Sequence, residues 1–201
     1  MCQSAAPIDT PVSRPNENWY ALRVKARSER LIASVVRQKG YEEFVPVYKC
    51  QRRWSDRMKS IEMPLFPGYV FCRLNPTHRL PLLTIPGVLH FVGIRNTPIV
   101  IDDIEMAAMQ MATQSGLPTE PWPYIEGGKP VAVEGGPLQR LVGHLVESQD
   151  QCRLVVSMSV LRRSVAVEID RKWVSMQWKG VVSSLSASSE KQYPSSGMEG
   201  R

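Results

Sequence analysis

Residues 64–71 read PLFPGYVF and residues 85–93 read IPGVLHFVG. Both stretches lie in the first half of the chain, and the first of them carries clear signals of local structure. In the first stretch, proline fixes φ near −65° and lacks a backbone N–H, so the chain is expected to enter the next strand through a rigid turn. Gly68 permits a backbone angle or a close approach that a side chain would block. The segment 69–74 is dense in aromatic and β-branched residues, which predicts that this turn leads into a strand.

The same stretch places three aromatic residues close together: Phe66, Tyr69 and Phe71. Tyr69 and Phe71 are two positions apart, so they share one face of the predicted strand. One interpretation is that all three aromatic rings pack in the core. The other is that part of the cluster stays at the surface as an apolar patch, which is typical of a protein–protein hot spot.

Hydrophobic patterns on either side of this stretch predict a sheet with helices packed on it. Tyr20, Leu22 and Val24 alternate with other residues at the period of a half-buried strand. Further strands are expected at 43–48, 69–74 and 89–92. One helix begins after Ser28 as its N-cap and another after Asp102 or Asp103. The predicted buried faces of these helices are Leu31, Ile32, Val35 and Val36, and Ile104, Ala107, Ala108 and Met111.

Composition divides the chain into five segments. Residues 1–17 are predicted to be a flexible leader and 18–114 a first domain of α+β class. The stretch SGLPTEPWPYIEGG at 115–128 is rich in proline, which stiffens a chain, so it is predicted to be an extended linker. The segment 129–177 has short valine-rich runs between turn residues, which predicts a small closed β-barrel. A disordered tail is expected over 178–201.

Charge and composition exclude several classes of protein. The chain has 25 Lys plus Arg against 19 Asp plus Glu and a net charge of +6, which favours anionic partners such as nucleic acid. Its four cysteines lack CxxC spacing, so neither a metal site nor a redox pair is expected. No phosphate-binding loop or nucleophile motif is present, so we expect neither an enzyme nor a cofactor. Without a signal peptide or a membrane-length apolar window, the protein is expected to be cytoplasmic.

Three stretches together resemble the NusG family of transcription elongation and antitermination factors. They are Trp19-Tyr20, the pair of stretches quoted above, and the VEGGPL run at 133–138 followed by Gly143, which is similar to the family's KOW motif. The match extends over roughly residues 18–177 in the right order. The resemblance implies a ferredoxin-like NGN domain, with a four-stranded antiparallel sheet, linked to an SH3-like KOW barrel. It also implies a monomeric factor that binds RNA polymerase and suppresses pausing.

The resemblance assigns a polymerase-binding role to the aromatic stretch. In the family, the corresponding residues form the pocket for the clamp helices of the polymerase's largest subunit. Carried over by position, the pocket residues are Phe66, Pro67, Tyr69 and Phe71. RfaH-like members place a second polymerase anchor at a His-Thr-Thr motif. Here only His78 matches that motif, because Arg79, Leu80 and Pro81 follow it.

Two basic regions are candidates for nucleic-acid contact. The segment KCQRRWSDRMK at 49–59 carries five cations around an aromatic residue, a combination that suits phosphates and unpaired bases. A solvated hairpin tip remains the alternative. In the family this region projects near upstream DNA, and the first helix lies near the non-template strand. The candidate residues are Arg52, Arg53 and Trp54 on the hairpin, and Arg37 and Lys39 on the helix.

The tip of the second domain is the candidate site for a further partner. General members of the family carry phenylalanine and glycine at this tip, where termination factor Rho or the ribosomal protein NusE docks. Here the tip is Leu161-Arg162, which indicates either an altered partner or a harmless loop substitution. This tip and PLFPGYVF favour a specialised member of the RfaH or UpxY type. The alternative for the whole protein is a KOW-containing RNA-binding or ribosome-associated protein.

Overall fold

The computed structural model is an α+β protein, as the sequence predicts. The structure describes residues 16–54, 57–95, 97–125, 130–148 and 151–175. The predicted tail at 178–201 and nearly all of the predicted leader lie outside these ranges.

The described ranges contain three α-helices and fourteen strands, joined in places by short 3-10 turns. The helices are α1 (Glu29–Gln38), α2 (Leu80–Leu83) and α3 (Asp103–Gln114). The strands of the first half are β1 (Asn18–Val24), β2 (Glu42–Phe44), β3 (Val47–Trp54), β4 (Arg57–Pro64), β5 (Tyr69–Leu74), β6 (Val88–Phe91), β7 (Gly93–Ile94) and β8 (Thr97–Pro98). The second half has β9 (Thr119–Pro123), β10 (Pro130–Val133), β11 (Val142–Ser148), β12 (Gln151–Met158), β13 (Arg163–Ile169) and β14 (Val174–Ser175).

The first unit is built on a four-stranded antiparallel sheet with the order β2-β5-β1-β6. Its central strands β1 and β5 are buried on both faces. Tyr20 and Leu22 pack toward α1, whereas Trp19 and Ala21 belong to a core on the opposite face. The prediction of a half-buried β1 is therefore wrong, because a second layer covers the face that we expected to meet solvent.

The predicted buried faces of the helices are only partly correct. In α1, Ile32 and Val36 are buried as expected, but Leu31 is 69% exposed. In α3 the prediction is wrong, because Ile104 is 67% exposed and the buried residues are Met106, Met109 and Ala112. Apolar residues recur at three- and four-residue spacing on both sides of α3. The period alone therefore identifies a helix without showing which stripe faces the sheet.

Strands β3 and β4 form a long antiparallel hairpin. It coincides with the charged segment at 49–59, and residues 55–56 at its tip lie outside the described ranges. Arg52 pairs with Lys59 and Trp54 pairs with Arg57 along the ladder.

The second unit is a six-stranded sheet with the order β14-β10-β11-β12-β13-β9. Its outer strand β9 lies inside the segment predicted to be the linker, and it pairs with β13 from Thr119↔Val167 to Pro123↔Arg163. Two of its five residues are prolines, which withhold amide donors and are tolerated at a sheet edge. As a result, only residues 115–118 separate α3 from this sheet.

The two units share one hydrophobic core. It contains Trp19, Phe66 and Phe71 of the first unit, Met106 and Met109 of α3, and residues of the second sheet such as Leu154, Val156 and Met158. The second unit therefore covers the face of the first sheet that lies opposite α1. None of the helices in the described ranges is long and apolar enough to span a membrane.

Candidate functional site

The segment 66–69, which we call the aromatic turn, lies at the start of β5. The amide of Tyr69 donates to the carbonyl oxygen of Phe66 at 3.2 Å, which closes the turn. Gly68 has φ +81°, a left-handed angle that glycine adopts without strain. Its carbonyl oxygen accepts from the amide of Val24 at 2.9 Å, and its own amide donates to Glu29 Oε1 at 2.7 Å. The turn is thus tied both to β1 and to α1.

The four predicted pocket residues differ in exposure. Phe66 and Phe71 are fully buried and form an edge-to-face pair with ring centroids 5.6 Å apart. Pro67 is exposed, and Tyr69 is half-buried. Both interpretations of the aromatic cluster therefore apply to part of it. Phe66 and Phe71 support the turn from within, and Pro67 and Tyr69 form the part that solvent reaches.

Tyr69 lies between two arginines from different units. The guanidinium carbon of Arg23 on β1 is 4.6 Å from the centre of the ring, and that of Arg163 on β13 is 5.8 Å from it. Both distances are within the range of cation–π attraction. Arg163 thus brings the second unit directly to the surface predicted to bind polymerase.

The tip between β12 and β13 also faces the first unit. Ser159 at this tip donates from its amide to Glu105 Oε2 of α3 at 3.2 Å, and its hydroxyl is hydrogen-bonded to Glu105 Oε1. Leu161 is half-buried and packs against the shared core. Arg162 is exposed, has φ +49°, and lies 5.5 Å from the ring of Tyr124. The structure therefore brings the predicted partner tip and the aromatic turn to the same interface.

The candidate nucleic-acid residues belong to α1 and its C-terminal end and to the β3–β4 hairpin. Arg37 is exposed and forms an ion pair with Glu43, and Lys39 is exposed beyond the end of the helix. Arg30 on α1 forms an ion pair with Glu62 of β4, with 2.5 Å between Arg30 Nη2 and Glu62 Oε2. Arg53 is exposed on the hairpin. The side chains of Arg52 and Trp54 lie outside the described part of the structure.

His78 lies apart from the aromatic turn. It is exposed at the end of a 3-10 turn, Pro76–His78, and its carbonyl oxygen accepts from the hydroxyl of Tyr41 at 3.1 Å. Pro81 occupies the first turn of the short helix α2, where a missing amide costs nothing. No α-helix runs through His78, because the 3-10 turn ends at this residue and α2 begins at Leu80.

Sequence reasoning missed four residues that shape this region: Arg23, Glu29, Glu105 and Arg163. The sequence showed Glu29 only as an acidic residue in the first turn of a helix, which is a common surface pattern. In the structure it is 4% exposed. The contacts of Glu105 and Arg163 join segments more than fifty and ninety residues apart, and no local pattern encodes such pairs.

Cys50, Cys72 and Cys152 are free thiols, and among the described residues no group of three or more His, Cys, Asp or Glu could hold a metal ion. Burial raises the pKa of the Cys72 thiol far above its ordinary value. The pKa of Cys152 is also raised, first by desolvation and then by the charge of Glu147. A raised pKa keeps a thiol protonated and poorly nucleophilic.

Comparison with known proteins identifies similar chains. Residues 17–110 match the family model described as "Transcription termination factor nusG". The protein named transcription termination/antitermination protein NusG of Rickettsia bellii is 26% identical over 168 residues, which cover 78% of this chain and 88% of that protein. The protein of the same name from Escherichia coli is 28% identical over 176 residues, covering 78% and 94%. A solved structure described as "Domain interaction in Thermotoga maritima NusG" covers 79% of this chain and 96% of its own, with 20% identity and a TM-score of 0.48.

Proposed function

We propose that the chain is a member of the NusG family, which it resembles over residues 17–110 and along most of the length of its relatives, and that it is a transcription termination/antitermination factor that binds RNA polymerase and performs no catalysis. In this proposal the unit built on the β2-β5-β1-β6 sheet is the ferredoxin-like NGN domain. The unit built on the second sheet is the SH3-like KOW domain.

The feature that carries the proposal is the aromatic turn. Phe66 and Phe71 form a buried support, and Pro67 and Tyr69 are accessible on top of it. A rigid, partly exposed aromatic on an ordered backbone is the usual composition of a protein–protein hot spot. We assign this surface to the clamp helices of the polymerase's largest subunit, with His78 as a second contact across the DNA cleft.

Docking of this kind acts by shifting a conformational equilibrium. A ligand that binds the closed clamp more tightly than the open clamp raises the closed population by the ratio of the two affinities. A closed clamp resists pausing. The cations of α1 and of the β3–β4 hairpin would then lie toward the non-template strand and contact its phosphates. The candidate cations are Arg37, Lys39, Arg52 and Arg53, and Trp54 is the candidate stacking surface.

The second unit carries the tip that recruits a further partner. Leu161 and Arg162 are its candidate contact residues, and the candidate partners are NusE and Rho. The tether raises the effective concentration of any partner held at the polymerase. The arginine in place of the family's glycine supports an altered partner and hence a specialised RfaH- or UpxY-like role.

Both docking features meet at one interface in this arrangement, so full engagement requires the units to separate. Tyr69 lies against Arg163, and Leu161 packs into the shared core. A docking surface available only in a minor open state binds with an apparent affinity reduced by the fraction of that state.

Binding of the full chain to core RNA polymerase tests the proposal. Phe66 is a poor site for a test because its truncation would leave a cavity in the core. We therefore choose Tyr69→Ala and Pro67→Ala, with Ile94→Ala as a control at a 67% exposed apolar residue on β7. Loss of the Tyr69 ring should weaken binding by about 1–3 kcal/mol, whereas the control should bind like wild type.

The outcomes separate the alternatives. Equal binding by wild type and Tyr69→Ala would move the polymerase interface away from the aromatic turn. If wild type does not bind polymerase at micromolar concentration but does bind ribosomes or RNA, the elongation-factor proposal fails. The RNA-binding alternative then takes its place.

A further inference from the structure

Glu29 is a buried carboxylate in the first turn of α1. Glu29 is 4% exposed, and its Oε1 accepts a buried hydrogen bond from the amide of Gly68 at 2.7 Å. Removing a carboxylate from water is costly unless hydrogen bonds replace the lost hydration. The burial of this carboxylate therefore indicates a specific structural role.

The hydrogen bond connects elements that are far apart in the sequence. Residues 29 and 68 are separated by 39 positions, and Gly68 lies in the middle of the aromatic turn. Hydrogen bonds from β1 also reach this turn. Val24 donates to the carbonyl oxygen of Gly68, and Arg23 Nη1 lies 3.5 Å from the carbonyl oxygens of Pro67 and Gly68. Glu29 is thus the contact that ties the turn to α1.

Glu29 lies in the first turn of α1, a position that favours a carboxylate. Carboxylates are favoured near the N-terminus of a helix by the helix dipole, so α1 stabilises the charge that Gly68 meets. The 2.7 Å distance between the Gly68 nitrogen and Glu29 Oε1 is that of a well-formed hydrogen bond. Gly68 at φ +81° directs its amide at Glu29, so the bond and the shape of the turn depend on each other.

We propose that Glu29 is a positioning residue that holds the aromatic turn in its polymerase-docking shape and fixes that turn relative to the basic face of α1. The inference rests on the proposed function. One carboxylate then sets the spacing between the surface that meets the polymerase and the surface that meets DNA. Its contribution comes from the reach of the side chain to Gly68 and not from its charge at a distance.

Two substitutions of Glu29 test the length of its side chain and its charge separately. Glu29→Gln keeps an oxygen at the same reach and removes the charge. Glu29→Asp keeps the charge and shortens the side chain by one methylene, which withdraws the oxygen from Gly68. Glu42→Ala serves as a control, because Glu42 lies on β2 and is joined to Arg73 by a 3.8 Å ion pair away from the turn.

The first measurement uses the free full-length chain and needs no polymerase. In amide exchange followed by NMR, Gly68 should be protected in wild type and in Glu29→Gln. It should exchange about tenfold faster in Glu29→Asp, which corresponds to the loss of one hydrogen bond. Equal protection of Gly68 in Glu29→Asp and wild type would overturn the contact itself.

The second measurement is affinity for core RNA polymerase at a temperature where circular dichroism shows every variant folded. Glu29→Gln should bind within about threefold of wild type, and Glu29→Asp should bind about tenfold more weakly. Equal or tighter binding by Glu29→Asp, or weak binding by Glu29→Gln alone, would overturn the positioning role. Failure of wild type to bind polymerase would defeat the proposed function instead, and the exchange experiment would still decide whether Glu29 shapes the turn.

Discussion

At the scale of single residues, the second unit depends on a close approach of backbone to an aromatic ring. Gly136 has φ +72°, and a Cβ at this position would lie 2.6 Å from the ring of Trp173. Trp173 cannot easily retreat, because its amide donates to Asp170 and its carbonyl oxygen accepts from Glu134 at 2.7 Å. The GGP run of the KOW-like motif is therefore explained here by packing.

This contact gives a prediction with a matched control. Gly136→Ala should lower the free energy of unfolding by about 2–4 kcal/mol, because overlap with a fixed ring adds to backbone strain. Gly116→Ala should cost only about 1 kcal/mol, since Gly116 has φ +74° but nothing within 4 Å of the added atom. Urea denaturation of both variants measures the difference. Equal losses of unfolding free energy in the two variants would show that the Trp173 ring moves aside.

Cys72 yields a prediction of pH dependence. Burial raises its pKa above the ordinary value of 9.0. Folding therefore favours the protonated thiol. That stabilisation is complete below pH 9 and is lost as the pH rises past 9 toward the folded pKa. The difference in the free energy of unfolding between wild type and Cys72→Ala should shrink between pH 8 and about pH 10.5. A difference that stays constant over this range would contradict the prediction.

At the scale of elements, α3 has a well-defined start. Asp102 is its N-cap and accepts the amide of Ile104 at 2.7 Å. Ser28 occupies the corresponding position before α1 but forms no side-chain capping hydrogen bond. Asp102→Ala should therefore lower the free energy of unfolding by about 1 kcal/mol, and Ser28→Ala by less than about 0.5 kcal/mol. Thermal or urea unfolding compares the two, and an equal effect of both substitutions would contradict this account.

The contrast between these helices shows how far local patterns reach. Capping and periodicity predicted both helices and the start of α3, because those signals depend on neighbouring residues. They failed for the buried stripe of α3, where Met106 and Met109 face the core in place of Ile104. Both stripes are apolar, and the choice between them is made by packing against a sheet and a second unit that the helix sequence does not describe.

The strand β9 is a second case in which a local pattern does not predict a contact with a distant segment. Its prolines led to the prediction of an extended linker, since proline holds φ near −65°. They did not predict pairing with β13, which requires a sheet edge about forty residues later in the chain. Proline spacing describes the segment itself, whereas the availability of an unpaired edge is a property of the folded unit.

At the scale of the whole molecule, the consequence of β9 is a short tether. While β9 stays paired, only residues 115–118 join the units. Four residues span at most about 14 Å when fully extended. The second unit can therefore leave the aromatic turn but must stay close to the first unit unless β9 also detaches. The sequence predicts two units, but their mutual covering depends on contacts between distant residues.

The contact between Glu105 and Ser159 joins the two units and can be removed by a single substitution. Glu105 accepts from both the amide and the hydroxyl of Ser159, and each hydrogen bond contributes about 1 kcal/mol to the closed arrangement. Glu105→Ala should therefore raise the open population and increase the apparent affinity for core RNA polymerase by about three- to tenfold. The increase should be accompanied by faster amide exchange of Ser159.

A matched control distinguishes opening from a general change of charge. Glu147→Ala removes an acid of the second unit that is paired with Arg171 at 3.5 Å within that unit, so its affinity for polymerase should match wild type. Binding assays with the three full-length chains at one salt concentration make the comparison. If Glu105→Ala binds no more tightly than Glu147→Ala although Ser159 exchanges faster, opening does not limit docking. The aromatic turn would then be accessible in the closed arrangement, and Arg163 would have to move aside without separation of the units.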